Sequence, residues 1–349
     1  MLVAQDMARK KIRALSLVSG GLDSLLATKV IMSQGIEVEG INFFTGYVGD
    51  HDWQLKANES GSFQARKLAK LLGIKLHLVE VVEEFKSVLT APRYGYGANF
   101  NPCLDCKLFM IMQAKKIMQR EGFDFLVSGE VLGQRAMSQR KDTLPLAVKL
   151  TDNLLVRPLS AKLLAATLPE QNSWIERAAL YDISGRSRKQ QLILAEQLGF
   201  NLNELPQPAG GCCLTDSNFC SRLKDLLKFD PTSYDLASIL LLRVGRHFRI
   251  NQKLKVIVGR DKTENEFIEA QCSKDTVLFE VADYPGALLA AKGSLDSTTE
   301  ILVCQIAAYF SSAKNFNTVK VWCRIPGKPP SMREVTTLFL TDKLLSWRL

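Results

Sequence analysis

Short apolar runs and amphipathic stretches alternate along the first two-thirds of the chain. The run Ala14-Leu15-Ser16-Leu17-Val18 predicts a buried strand, and Leu25 to Met32 reads as a helix. Gly35 is placed to stop that helix, and Gly35 to Phe44 alternates as a second strand. A helix over 55–72, a strand over 74–82, a helix from Cys103 to about Arg120 and a strand over 125–129 continue the series. A helix between each pair of strands, with right-handed crossovers, predicts an α/β fold, a doubly wound parallel sheet. Further on, Thr167-Leu168-Pro169-Glu170 is a capping-box pattern for a helix through Ala179, and another helix starts near Arg186, Arg188 and Lys189. Asp230-Pro231-Thr232-Ser233 reads as a linker, dividing the chain into 1–229 and 230–349. Beyond it, strands near 243–250, 255–258, 277–281 and 318–324 and helices near 262–271 and 297–310 predict a smaller α+β module.

Ligands of such parallel sheets sit at the carboxyl ends of strands. Three stretches there carry polar chemistry. The first is Ser19-Gly20-Gly21-Leu22-Asp23-Ser24. Adjacent glycines allow close backbone approach to a ligand, and the following helix start offers unpaired N–H groups and a positive dipole, which together make an anion seat. No Walker loop occurs in the chain, so phosphates would be held by backbone amides and the Ser19 and Ser24 hydroxyls, with Asp23 acting through hydrated Mg2+. The second is Phe43-Phe44-Thr45-Gly46, where Phe44 could wall an adenine. The third runs from Gly129-Glu130 through Gln134 to Ser138-Gln139.

The 349 residues, 46% of them hydrophobic, are enough for two or three folded domains. A charged first segment and the lack of a long apolar run predict neither a signal peptide nor a membrane span, hence a cytosolic protein. Thiols stay reduced in that compartment, which turns eight cysteines from disulfide candidates into ligand, nucleophile or core candidates. Cys103 and Cys106 form a Cys-x-x-Cys at a helix start; Cys212 and Cys213 follow a Pro- and Gly-rich loop. Three chemistries fit: a persulfide relay between two thiols, a [4Fe-4S] cluster held by Cys103, Cys106 and Cys213, or a zinc site using all four. Cys220, Cys272, Cys304 and Cys323 are expected as core filler. The net charge of +9 favours a polyanionic partner.

The Ser-Gly-Gly-Leu-Asp-Ser motif resembles the pyrophosphate loop of the ATP-pyrophosphatase family. That resemblance implies an adenine nucleotide alpha hydrolase-like fold and cleavage of ATP between its α and β phosphates, with Ser19, Gly20, Gly21, Asp23, Ser24, Phe44, Gly129 and Gln134 around the nucleotide. Gly129-Glu130-Val131-Leu132-Gly133-Gln134 with Ser138-Gln139, and Arg157-Pro158-Leu159, resemble the tRNA 4-thiouridine synthases; Asn101-Pro102-Cys103 resembles the tRNA 2-thiouridylases. These imply adenylation of a uracil carbonyl in tRNA followed by displacement of AMP by sulfur from a separate donor. Cys103 would be catalytic, with Cys212 or Cys213 as its distant partner. An amide-forming ligase and a non-catalytic ATP- and RNA-binding factor are the competing classes.

The synthases carry an RNA-binding region ahead of this loop, whereas the loop here begins at Ser19, so RNA recognition is expected in the C-terminal module. There, 255–266 and Asp283-Tyr284-Pro285-Gly286 are similar to the RNA-binding domain of the NFACT ribosome-quality-control proteins. Arg246, Arg249, Lys255 and Arg260 are the expected phosphate contacts, and His247 is either structural or an RNA contact.

Overall fold

The computed structural model describes residues 11–47, 63–205, 211–273, 275–325, 327–338 and 340–349. Backbone packing divides them into two units, Met1–Thr215 and Asp216–Leu349.

The first unit carries β1 (Arg13–Leu17), α1 (Leu22–Met32), β2 (Glu37–Phe44), α2 (Phe63–Leu72), β3 (Leu76–Glu80), α3 (Val82–Thr90), α4 (Cys103–Glu121), β4 (Phe125–Ser128), α5 (Leu144–Leu150), β5 (Leu155–Val156), α6 (Leu168–Gln171) and α7 (Lys189–Gln197). Its strands form one parallel sheet in the order β3-β2-β1-β4-β5. The doubly wound α/β expectation holds. Strand β1 is central and apolar because both its faces are covered: Ala14 and Val18 join the core around Leu25, Leu26 and Leu68, while Leu15 and Leu17 join the core around Leu104, Leu108 and Ile111. The chain leaves β1 toward β2 on one side and later returns to β4 on the other. That reversal opens a crevice at the carboxyl ends of β1 and β4.

Residues 55–62 of the helix expected over 55–72 lie outside the described residues. The helix expected through Ala179 is shorter. Its capping box forms, but α6 ends at Gln171; Ser173 turns left-handed (φ 57°), and Arg177 folds back to bond Glu170 and the carbonyls of Ala161 and Leu164. Arg186 and Arg188 precede α7 rather than lying within it.

The second unit comprises α8 (Ser217–Phe229), α9 (Leu236–Leu241), β6 (Arg246–Asn251), β7 (Leu254–Val258), α10 (Lys262–Gln271), β8 (Thr276–Val281), β9 (Leu289–Gly293), α11 (Ser297–Tyr309), β10 (Thr318–Arg324), β11 (Ser331–Thr336) and α12 (Thr341–Trp347). Its strands form an antiparallel sheet ordered β11-β10-β8-β9-β7-β6, with Val256, Phe279 and Leu289 packed on Val303, Cys304 and Ala307 of α11. The division at Thr215 falls ahead of the boundary expected after residue 229 because α8 packs with this sheet. Asp225 on α8 accepts two hydrogen bonds from Arg249 at 2.8 Å and pairs with Lys255 at 3.0 Å. Among the described residues no helix is long and apolar enough to cross a membrane.

Candidate active site

Residues 19–24 turn directly from β1 into α1. Gly20 has φ 85°, and a Cβ there would lie 2.6 Å from the Gln64 Cβ and 2.9 Å from the Ala65 nitrogen. Only glycine satisfies both demands. Gly21 caps α1 without any side-chain acceptor, so the first turn of the helix presents its N–H groups at the sheet edge. The Ser24 hydroxyl donates to the Gly21 carbonyl (2.8 Å), and the Ser19 hydroxyl donates to that of Ser24 (3.3 Å). Backbone amides at a helix start with its dipole behind them suit an anion. Phe44 ends β2, half-buried, on the same carboxyl edge.

The segment after β4 closes over the loop. A Cβ on Gly129 would lie 2.6 Å from both the Asp23 carbonyl carbon and the Ser24 nitrogen, so the two backbones touch only because residue 129 has no side chain. Gln134 donates to Asp23 Oδ2 at 2.9 Å, whereas Asp23 Oδ1 is buried without a hydrogen-bond partner. An orphaned carboxylate oxygen beside an anion seat suits a hydrated Mg2+.

Glu130 is buried and accepts from Arg157 (2.9 Å) and from the Ser128 hydroxyl (3.1 Å), with Lys107 of α4 at 4.0 Å. Burial by itself would raise its carboxyl, but Lys107, Arg157 and Ser128 outweigh it and hold the group below its ordinary value of 4.5. The carboxylate therefore ties the helix of Cys103 and Cys106 to the end of β4. Replacing Glu130 with Ala leaves Arg157 buried and unpaired, and is expected to lower the unfolding free energy by about 3–5 kcal/mol at pH 7. Because the folded-state group is the more acidic one, its contribution is complete above about pH 4.5 and is lost as pH falls through the lowered value. Urea unfolding of both proteins across pH 3–7 measures this; equal stabilities at pH 7 would contradict it.

Cys103 is the first residue of α4, after Pro102, and is partly exposed; its Sγ donates to the Ser138 hydroxyl at 3.6 Å. Cys106, one turn on, is different. Desolvation, followed by the nearby charges of Cys212 and Cys103, pushes its thiol up to about 12. The distant segment comes to the same place. Leu214 accepts from the Phe100 backbone (3.1 Å), Thr215 accepts from the Asn99 side chain (2.7 Å), and the Cys213 backbone donates to Tyr47 just past β2 (3.0 Å). Cys212 lies within electrostatic reach of Cys106. Among the described residues no three His, Cys, Asp or Glu side chains are gathered to hold a metal ion. Cys220, Cys304 and Cys323 are buried as expected of core cysteines, with the Cys304 thiol pushed up to about 12, whereas Cys272, expected in the core, is half-buried, its thiol pushed up to about 11 by desolvation.

Sequence reasoning passed over Tyr47 and the aromatic residues 94–100, whose only signal was their position ahead of Asn101-Pro102-Cys103. In the second unit, Lys255 is 4% exposed and Arg249 nearly as buried, both paired with Asp225. These side chains hold α8 on the sheet. Arg260 pairs with Glu264 but stays half-exposed, and the Arg246 guanidinium lies 5.4 Å from the Phe310 ring centre. His247 is fully buried; its Nε2 lies 2.9 Å from the Val244 carbonyl, and burial lowers its pKa far enough to keep it neutral. It is a structural residue.

Residues 10–167 match the family model described as thiamine biosynthesis protein (ThiI), and residues 245–348 match NFACT protein RNA binding domain. Among curated relatives, a protein named tRNA-specific 2-thiouridylase MnmA from Syntrophotalea carbinolica is 26% identical over 69% of this chain and 66% of its own length. A probable tRNA sulfurtransferase from Lactobacillus gasseri is 27% identical over 42% of this chain and 34% of its own. The chain thus spans between one third and two thirds of these relatives. A solved 4-thiouridine synthetase in complex with RNA and ATP aligns over 65% of this chain and 52% of that one, at 20% identity and a TM-score of 0.38.

Proposed function

From a ThiI-family domain followed in the chain by an NFACT RNA-binding domain, we propose that this protein is an ATP-dependent tRNA sulfurtransferase that makes thiouridine. One observation carries the reading: the segment from Gly129 to Gln139 touches both halves of the chemistry. It meets the anion seat through Gly129 and Gln134, and Cys103 through Ser138.

Uracil's carbonyl carbon resists displacement because oxide is a very poor leaving group. In the first step the carbonyl oxygen attacks the α-phosphorus of ATP and pyrophosphate departs. Charge accumulates on that leaving group where the N–H groups of the first turn of α1 and its dipole would meet it. Mg2+ held through water by Asp23 would supply further neutralisation of the phosphates. In the second step a terminal persulfide sulfur attacks the activated carbon and AMP leaves with the original oxygen. The second thiol then attacks the cysteine sulfur of the mixed disulfide, releasing thiouridine and leaving a protein disulfide that an external dithiol reduces. Cys103 and Cys212 suit this pair. Both flank Cys106 electrostatically, and the two segments are hydrogen-bonded to each other through residues 99, 100, 214 and 215. The sulfur donor is then a persulfide carrier.

The protein, with ATP, tRNA and a persulfide source, is expected to release AMP and pyrophosphate only when tRNA is present. Thiouridine, measured by mass spectrometry of digested tRNA, should match AMP one for one. AMP release stimulated by a small carboxylate instead of tRNA would replace this reading with the ligase class.

A further inference from the structure

The loop that delivers Cys103 carries more aromatic surface than a connector needs. Tyr94 and Tyr96 are 39% and 38% exposed, and the Tyr96 ring stacks on Phe100 with centroids 4.8 Å apart and planes 21° from parallel. The Arg93 guanidinium lies 5.5 Å from the Tyr94 ring centre. We propose that residues 93–100 form a base-stacking platform that receives an unpaired nucleotide of RNA beside Cys103; this rests on the thiolation reading of the same site.

The platform is held in advance of any ligand. Both carboxylate oxygens of Asp105 accept from the loop backbone, from Arg93 N–H at 2.8 Å and Tyr94 N–H at 3.0 Å. The Tyr96 hydroxyl donates to the Leu89 carbonyl at 2.7 Å, which fixes the ring's lower edge and leaves its upper part in solvent. Gly97 donates to the Asn101 carbonyl at 2.9 Å, and a side chain at 97 would overlap the Met137 sulfur, so the loop lies against the segment that also holds Ser138. Asn99 and Phe100 bind the Cys212 segment. A stacked ring pair, Tyr96 on Phe100, is thus held in the loop seven and three residues ahead of Cys103.

The occupant follows from the chemistry of that rim. Flat aromatic faces beside cations match bases strung on phosphates, and single-stranded RNA is recognised in this way. Arg93 is exposed beside the Tyr94 ring, and Arg135 is exposed and close enough to act electrostatically on Cys106. A uridine within a folded RNA must be splayed from its stack to reach the anion seat and Cys103 together. Its neighbour then needs a surface to replace the lost stacking, and Tyr96 on Phe100 offers one.

The test uses the full chain with a tRNA transcript containing 5-bromouridine, irradiated and digested, and with a labelled twelve-residue oligouridylate for affinity at fixed salt. Crosslinks are expected on the peptide holding Tyr94 and Tyr96. Tyr96→Ala and Tyr94→Ala should each raise the KM for tRNA and weaken oligouridylate binding roughly tenfold, while Tyr96→Phe, which keeps the ring but loses the bond to Leu89, should lose less than Tyr96→Ala. Arg93→Ala should lower the salt slope by about one. Crosslinks confined to residues 245–348, or both alanine variants matching wild type in KM and affinity, would overturn the platform. Crosslinking at 94–96 by a protein that forms no thiouridine would uphold the platform and overturn the thiolation reading.

Discussion

Cys103→Ser is expected to abolish thiouridine formation while ATP affinity stays within about twofold of wild type. The thiol sits at the first position of α4, partly exposed, with its sulfur directed to Ser138. A helix start favours the thiolate at Cys103, whereas the thiol of Cys106, equally part-exposed, is pushed up to about 12 by desolvation and by the neighbouring Cys212 and Cys103. The anion seat is built from other segments, residues 19–24 and Gly129, so removing the sulfur leaves it whole. Calorimetric titration with a non-hydrolysable ATP analogue and mass spectrometry of tRNA nucleosides read the two halves separately. Timed alkylation of the wild type gives a second measure, with Cys103 labelled well before Cys106. Normal sulfur transfer by the serine variant would remove Cys103 from the mechanism.

The parts of this architecture that could be read from sequence are those where a local signal and the tertiary environment agree. Ala14 to Val18 is apolar because β1 is central, and the turn that follows needs glycine for reasons of backbone geometry, so strand, turn and helix were all visible. Helix α10 and strand β10 came out at their predicted residues because Asp261 caps the one and clean in–out alternation marks the other. Elements with weak local preference were missed. Strand β5 has two residues and exists through its register with Leu126 and Val127; β9 is Leu-Ala-Ala-Lys-Gly, with little β preference; β11 is an edge strand whose residues are mostly exposed.

The same limit applied to chemistry. Residue type showed that Arg249 and Lys255 are cationic, but not that Asp225 on a neighbouring helix neutralises both. Likewise, Cys-x-x-Cys showed two thiols one helical turn apart, but not that desolvation and the neighbouring Cys212 would raise the thiol of the second. The approach of the Cys212 segment to the loop of Cys103 depends on hydrogen bonds from the Asn99 side chain and the Phe100 backbone that no spacing rule encodes.

Gly129→Ala is expected to lower tRNA-dependent AMP formation about a hundredfold, through one methyl group that contacts no substrate. The crevice between β1 and β4 exists because the sheet reverses direction there, and the two strand ends converge on the anion seat. Their contact is backbone to backbone. The added carbon would lie 2.6 Å from the Asp23 carbonyl carbon, 2.6 Å from the Ser24 nitrogen and 2.7 Å from the Asp23 oxygen, and none of these atoms can swing aside as a flexible side chain would. Either the start of α1 moves, spoiling the N–H groups aimed at phosphate, or β4 and the residues after it retreat. Retreat would loosen the Gln134–Asp23 hydrogen bond and shift Ser138 from Cys103. A displacement near 1 Å at a reacting centre costs on the order of a hundredfold in rate, while overpacking costs about 1–3 kcal/mol of stability. Activity should therefore fall far more than the melting temperature does. A variant that releases AMP within twofold of wild type would show that the seat does not depend on this close approach, and the pyrophosphate would have to be held elsewhere.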